Sequence, residues 1–245
     1  MKKIIGLIPC RLNSIRLKQK ALIKINKYPL IVHTYKRANL SKLLDDVYVC
    51  TDSDEIIHQL KRFNCKYIKT ESNFINGTDR IASVCKKFNS KLIIDIQGDE
   101  PLINPIDIDN VIKFHLKNLK KFDVILPFQE IKKPFSKNVV KLLAHHNKVF
   151  FMTRSNSPFP FKKNNFYYKK HLSVISFTKT ALIKFSKLKP SFHEKIEGIE
   201  LLRAIENNIR VGTFKSSSSS FSVDVKEDLN RALKFMKNDK IKKKY

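Results

Sequence analysis

The sequence predicts an α/β fold, a mostly parallel sheet with helices on both faces. Two patterns carry that expectation. Short, nearly unbroken apolar runs recur, as at residues 3–8 and 91–96, and such runs mark strands buried on both faces. Amphipathic stretches of helical period stand between them. Strand and helix therefore alternate through residues 3–127, the signature of a parallel sheet.

Each element follows from its residues. Residues 3–8 form the first strand. Residues 29–38 read as a helix, with Pro29 at its start and Leu30, Ile31, Thr34 and Tyr35 on one side. Residues 47–51 are the next strand, and residues 53–63 a helix with Ser53 as N-cap. Residues 65–69 are strand-like. Residues 78–88 are a helix capped by Thr78. A buried strand at 91–96, a helix at 105–119 and a short strand at 124–127 complete this half. Residues 139–144 and 148–152 look like a hairpin around His145-His146-Asn147. Residues 156–170, rich in Pro, Lys, Asn and aromatics, read as an ordered loop or interface arm. A strand at 171–177, helices at 180–188 and 195–207, a strand at 210–214 and a helix at 225–236 close the chain. The serine run at 216–220 reads as a flexible loop, too short to link two domains. By length alone, 245 residues make one large α/β domain or two small ones.

Composition excludes several classes. With 42% hydrophobic residues the chain buries a sizeable core and is not disordered. The net charge of +27 invites a nucleic-acid reading, but the lysines are spread along the whole chain. A lysine-coated surface that favours anionic substrates is the simpler reading. Cys10, Cys50, Cys65 and Cys85 lack metal-ligand spacing and have apolar neighbours, which fits reduced thiols in the cytoplasm. No run is long enough for a signal peptide or a membrane span. His33 and His58 read as surface or boundary residues, and most of the eighteen Phe as core. The aromatics at 159–168 could instead cover a dimer interface.

Two segments carry candidate chemistry. The first is the basic loop Arg11, Ser14, Arg16, Lys20 directly after the first strand. Arginine offers a planar fork for phosphate oxygens and lysine a mobile point charge. The glycines of a P-loop or a dinucleotide fingerprint are absent, so solvated turn residues are the competing reading. The second is Gln97-Gly98-Asp99-Glu100-Pro101 after a buried strand. Mg²⁺ takes one or two carboxylates and completes its shell with water and phosphate oxygens. Asp99 fits that role, and Asp224 is a natural second ligand, or alternatively the N-cap of the last helix.

These segments resemble the cytidylyltransferases that activate eight-carbon ulosonic acids, the 3-deoxy-manno-octulosonate cytidylyltransferases above all. The resemblance covers nearly the whole chain. It rests on Ile8-Pro9-Cys10-Arg11, Ser14, Arg16-Leu17 and Lys20, on Thr51-Asp52, on Gly77-Thr78-Asp79-Arg80 and on Gln97 to Pro101. It continues through Asn138 to Lys141, Arg154, His171, Glu194, Glu197 and Val223-Asp224 with Glu227-Asp228-Leu229.

The resemblance implies a single nucleotidyltransferase domain of nucleotide-diphospho-sugar transferase-like, Rossmann-like fold with a small β-rich dimerisation portion. Residues 1–127 would be the nucleotide-binding half, 128–215 the sugar-binding and dimer-forming part, and 216–245 the return to the core. It implies a cytoplasmic homodimer that joins CTP to a sugar acid with Mg²⁺, for lipopolysaccharide or surface-glycan synthesis, with no nucleic-acid or membrane partner. Arg11, Lys20 and Asp99 would be catalytic. Arg11, Ser14, Lys20, Gly77, Thr78, Arg80 and Gln97 would bind the nucleotide. Gln97, Arg154, His171, Glu194, Glu197 and Glu200 would bind the sugar, and Asp99 and Asp224 the metal. Three departures stand out. Lys18-Gln19 replace the usual Pro-Gly before the loop lysine. Ile175 replaces a Tyr, and Leu201 a Gln. The last two make apolar a region expected to be polar, which implies changed sugar selectivity or a related sugar acid: an 8-amino derivative or a nonulosonate. A non-catalytic basic binding protein on this fold is the remaining alternative, which the presence of Asp99 and Asp224 disfavours.

Overall fold

The computed structural model describes residues 2–14, 16–132, 138–162, 166–216 and 220–245. In chain order the strands and helices are β1 (Lys3–Pro9), β2 (Lys24–Ile25), β3 (Tyr28–Pro29), α1 (Leu30–Ala38), β4 (Asp46–Thr51), α2 (Asp54–Arg62), β5 (Tyr67–Lys69), α3 (Gly77–Cys85), β6 (Ser90–Ile96), α4 (Pro105–Lys117) and β7 (Val124–Ile131). Then come β8 (Lys141–His145), β9 (Lys148–Thr153), β10 (Tyr168–His171), β11 (Val174–Thr178), α5 (Lys179–Ser186), α6 (Phe192–Glu197), α7 (Leu201–Glu206), β12 (Val211–Lys215) and α8 (Lys226–Lys237).

The main sheet has ten strands in the order β10-β8-β9-β12-β7-β11-β6-β1-β4-β5. Its first-half strands β6, β1, β4 and β5 pair parallel. Strand β11 inserts antiparallel between β6 and β7, and β8, β9 and β10 add an antiparallel patch. Side chains alternate across the sheet. Ile5, Leu7 and Ile93 join Ile81 of α3, Phe185 of α5 and Leu202 of α7 on one face. Ile8, Leu92 and Ile94 join Ile31 of α1, Ile56 of α2 and Ile112 of α4 on the other. Strands β1 and β6 are adjacent and parallel, so the loops after both leave the sheet at the same edge.

Several sequence expectations need correction. Helix α3 is capped by Asn76, whose Oδ1 accepts from the Asp79 N–H at 2.7 Å, and Thr78 lies inside the helix. The single helix expected at 195–207 is two, α6 and α7, broken at Gly198, whose φ of +61° is left-handed. The strand expected at 171–177 splits into β10 and β11. His33 is no surface residue: it is fully buried, and its ring nitrogens meet Ile25 O at 2.7 Å and Tyr245 Oη at 2.8 Å. His58 is exposed as expected. In the β8–β9 turn His146 and Asn147 both take positive φ, which suits the twist of a tight hairpin. Phe159 and Phe161 are exposed. Residues 163–165 of the aromatic arm and 217–219 of the serine run lie outside the described residues.

Candidate active site

The basic loop after β1 and the acidic loop after β6 face each other across a cavity of about 530 Å³. Its walls include Arg11, Ser14, Arg16, Lys20, Gly77, Arg80, Gln97, Asp99 and Asp224. Gly98 lets the two loops close on each other. A Cβ there would stand 2.9 Å from the carbonyl oxygen of Pro9. Thr34 Oγ1 donates to Gly98 O at 3.2 Å, tying the acidic loop to α1.

Lys20 is the centre of the cavity's electrostatics. Its Nζ lies 2.7 Å from Asp99 Oδ2 and 3.1 Å from Asp224 Oδ1. Burial opposes its charge, but the two carboxylates outweigh burial and raise its pKa. Arg16 reaches the same Asp224 oxygen at 2.9 Å and Asn138 Oδ1 at 3.0 Å. Backbone pairing brings the two acids together: the Val223 N–H donates to Asp99 O at 2.9 Å. Asp224 is not an N-cap. The first turn of α8 is served by Asp228, whose Oδ2 accepts from the N–H groups of Asp224 and Val225. That leaves the Asp224 carboxylate facing the cavity.

Asp99 and Asp224 already converge on one cation. They supply hard oxygen donors, and among the described residues no group of three or more His, Cys, Asp or Glu could enclose a metal. The donor set suits a divalent cation that completes its shell from a ligand's phosphates and water.

The loop lysine sits behind a strained residue. Gln19, where the resemblance predicts glycine, holds φ 48° and ψ 35°, in the left-handed region. Arg80 is almost fully buried. It pairs with Asp52 at 2.8 Å, donates to Thr70 Oγ1 at 2.6 Å and stacks over Phe74. The Cys10 thiol in the cavity wall is pushed up to about 12 by burial and by Asp99, so it is neutral and unreactive.

A second cavity of about 390 Å³ adjoins the first and shares Ile75, Asn76 and Glu200 with it. His171, Glu194, Ile175 and Leu201 line it. Among the described residues the His171 Nδ1 is buried with no partner, and burial, aided by Lys170, pushes its pKa down to about 4. The ring is therefore neutral and offers one nitrogen to a ligand. Glu194 has inward commitments. It pairs with Arg203 at 2.6 Å and accepts the Ser191 N–H in a capping box. Glu197 and Arg154 stand off the cavity wall. Glu197 accepts from Thr153 Oγ1 at 2.6 Å and the Arg154 N–H at 2.8 Å, while Arg154 Nε donates to Glu197 O at 2.7 Å. Buried Lys141 donates to Arg154 O and holds this corner from below. Thr78 is also turned away from the cavities, toward Asp95 and Glu200.

Sequence reasoning gave no role to Asp95 or Asn76, and it carried Glu100 only as part of the acidic segment at 97–101. Asp95 had a signal, an acid inside an apolar run. Glu100 is almost fully buried and accepts from Ser220 Oγ at 3.0 Å and Ser222 Oγ at 3.4 Å, which anchors the segment leading to Asp224.

The comparisons agree with this geometry. A family profile described as Cytidylyltransferase matches residues 5–215. A 3-deoxy-manno-octulosonate cytidylyltransferase of Rickettsia canadensis is 38% identical over 239 residues, covering 95% of each chain. An 8-amino-3,8-dideoxy-manno-octulosonate cytidylyltransferase of Shewanella frigidimarina is 34% identical over 238 residues, covering 94% of this chain and 96% of the other. The solved structure of a CMP:2-keto-3-deoxy-manno-octonic acid synthetase complexed with CTP superposes with a TM-score of 0.91 at 28% identity, over 96% of this chain and 99% of the other. A putative glucose-1-phosphate thymidylyltransferase of Bacillus anthracis shares the fold at 13% identity, with a TM-score of 0.69 over 96% of each chain. A profile match over residues 5–215 and 38% identity across 95% of the chain, on a sheet that superposes along nearly its whole length, make this chain a member of the cytidylyltransferase family.

Proposed function

We propose that the chain joins CTP to 3-deoxy-manno-octulosonate, forming the CMP-sugar and releasing pyrophosphate, with Mg²⁺ held by Asp99 and Asp224. The observation that carries this reading is the bridging of both acids by Lys20 beneath the arginine loop, next to a second cavity. Arg11, Ser14, Arg16 and Lys20 bind the triphosphate, and Gly77, Arg80 and Gln97 form the wall on the nucleotide side. Thr78 supports that wall from within α3. The second cavity holds the sugar acid, with His171, Glu194 and Glu200 at its wall and Glu197 and Arg154 shaping the corner behind it. The anomeric hydroxyl of the sugar acid attacks the α-phosphate, and Lys20 and Arg11 neutralise charge on the leaving pyrophosphate. Mg²⁺, when bound, adds Lewis-acid neutralisation of the phosphate oxygens.

The working form is a homodimer in the cytoplasm. Exposed Phe150, Phe192 and Ile196 near the β8–β9 hairpin support the first part. Four buried free thiols support the second, and no helix among the described residues is long and apolar enough to cross a membrane.

A second reading keeps the chemistry and changes the sugar to its 8-amino derivative. Ile175 and Leu201, almost fully buried at the second cavity, support a changed sugar, and the 34% identity to the 8-amino-3,8-dideoxy-manno-octulosonate enzyme points to that derivative. Pyrophosphate release from CTP and Mg²⁺, measured against a panel of sugar acids with the product's mass determined, tests both readings. CMP-octulosonate as the preferred product supports the first. Release with none of the acids refutes both.

A further inference from the structure

Beneath the two cavities, Thr78 Oγ1 lies 3.2 Å from Asp95 Oδ2 and 2.7 Å from Glu200 Oε1. A hydroxyl carries one proton and can donate to only one of them. Two ionised carboxylates aimed at it would leave a lone pair against a lone pair at bonding distance. A carboxyl that brings its own proton removes that conflict.

The surroundings decide which one. Glu200 also accepts from the Thr78 backbone N–H, in the first turn of α3, where the helix dipole favours negative charge. It borders both cavities, and Arg203 faces it. Asp95 sits in β6 with no solvent exposure. Its other partner is neutral: Gln97 Nε2 donates to Asp95 Oδ1 at 3.2 Å. The groups facing it do not help its charge. Glu200 comes from the α6–α7 turn, Asp99 from the loop after β6, and Cys50 from β4, its thiol pushed up to about 12. Burial raises the Glu200 carboxyl as well and Asp79 adds to it, but the Thr78 hydroxyl and backbone N–H both favour its charge, as does Arg203, which is itself paired with Asp79 and Glu194.

We propose that Asp95 is a positioning residue held as a neutral carboxylic acid, which donates a hydrogen bond to Thr78 Oγ1 while that hydroxyl donates its own to Glu200. This three-member relay fixes Glu200 at the boundary of the two cavities and the Gln97 amide at the nucleotide wall. Burial first, then the Glu200 charge, raises the Asp95 pKa well above the carboxylate range, as the relay requires. Ionising Asp95 breaks the relay at its first link.

Asparagine is the neutral isostere of this acid: its NH₂ donates to Thr78 Oγ1, and its oxygen accepts from Gln97. The first measurement is ¹³C NMR of aspartate carboxyls in the whole ligand-free protein. The relay predicts one protonated carboxyl signal at neutral pH, lost in Asp95→Asn. A spectrum with every Asp ionised at neutral pH overturns it. The second is the pH profile of kcat/KM for CTP. Wild type loses activity as alkali ionises Asp95, Asp95→Asn keeps its activity through that range, and Asp95→Ala is about tenfold lower throughout, the scale of one lost hydrogen bond. An alkaline limb unchanged in Asp95→Asn overturns the positioning role. Only this kinetic arm rests on the proposed activity. If no sugar acid supports turnover, the carboxyl spectrum still decides the protonation state. Folding stability supplies a third readout. A raised folded-state pKa contributes stability below the unfolded value and loses it as pH rises through the folded one. The denaturation midpoint of wild type should fall with alkali more steeply than that of Asp95→Asn, and equal slopes count against the neutral acid.

Discussion

The cavity between the β1 and β6 loops and the cavity beside α6 and α7 use charge in opposite ways. In the first, charged groups face the opening: Arg16 and Lys20 meet Asp99 and Asp224 at positions where an incoming polyanion and cation could rearrange them. In the second, charges are spent inside the protein. Arg203 is almost fully buried between Asp79 and Glu194, Glu197 is bonded to its own corner, and apolar Ile175 and Leu201 face the space. The lesson is that acidic residues near a site are not equivalent. The same residue type faces the open cavity, where we propose catalysis, in one region and builds the scaffold in the other. Mutation should therefore cost turnover on one side, and stability or selectivity on the other.

The largest expected effect is on the scaffold side. Arg203→Met leaves Asp79 and Glu194 buried without their cation and should lose roughly 3–5 kcal/mol of folding stability. Denaturant unfolding measures it. A loss under about 1 kcal/mol, the worth of a surface pair, would put Arg203 among the mobile charges instead. On the opposite side, Asp99→Asn and Asp224→Asn should each lower kcat by about 10²–10³-fold, the scale of one group that stabilises transition-state charge. Their thermal midpoints should stay near wild type. Near-native turnover in both variants at ordinary Mg²⁺ would remove the metal role from these residues.

Smaller effects sharpen the contrast. Ile175→Tyr with Leu201→Gln should shift preference toward 3-deoxy-manno-octulosonate by about 1–3 kcal/mol for each hydroxyl that regains a partner. Competition between two sugar acids at limiting concentration reads the shift. The smallest effect belongs to the phosphate loop. Gln19→Gly relieves a left-handed backbone and should stabilise the fold by up to ~1 kcal/mol. A loss of stability would mean that the Gln19 side chain itself holds the loop.

Much of the nucleotide side was legible in the sequence because its signals are local. An apolar strand followed by Arg11 to Lys20, and another followed by Gln97 to Asp99, place two loops at one sheet edge once the strands pair in parallel. The other side was less legible because its contacts are distant in sequence. Arg203 finds Asp79 across 124 positions, and Thr78 finds Glu200 across 122. Composition and period do not encode such pairings. The break at Gly198 and the cap at Asn76 were readable from turn chemistry, but helical periodicity across 195–207 and the threonine at 78 masked them. Asp95 was placed correctly in a buried strand, but one acid inside an apolar run does not reveal the hydroxyl that meets it.

The most direct measurement crosses the two regions. The ratio of kcat/KM for 3-deoxy-manno-octulosonate and its 8-amino derivative is determined in wild type, in Asp99→Asn and in Ile175→Tyr/Leu201→Gln. Division of labour predicts that Asp99→Asn slows both sugars alike and leaves the ratio unchanged. It predicts that the double variant moves the ratio while the KM for CTP stays at its wild-type value. A ratio moved by Asp99→Asn, or left unmoved by the double variant with its fold intact, would contradict it.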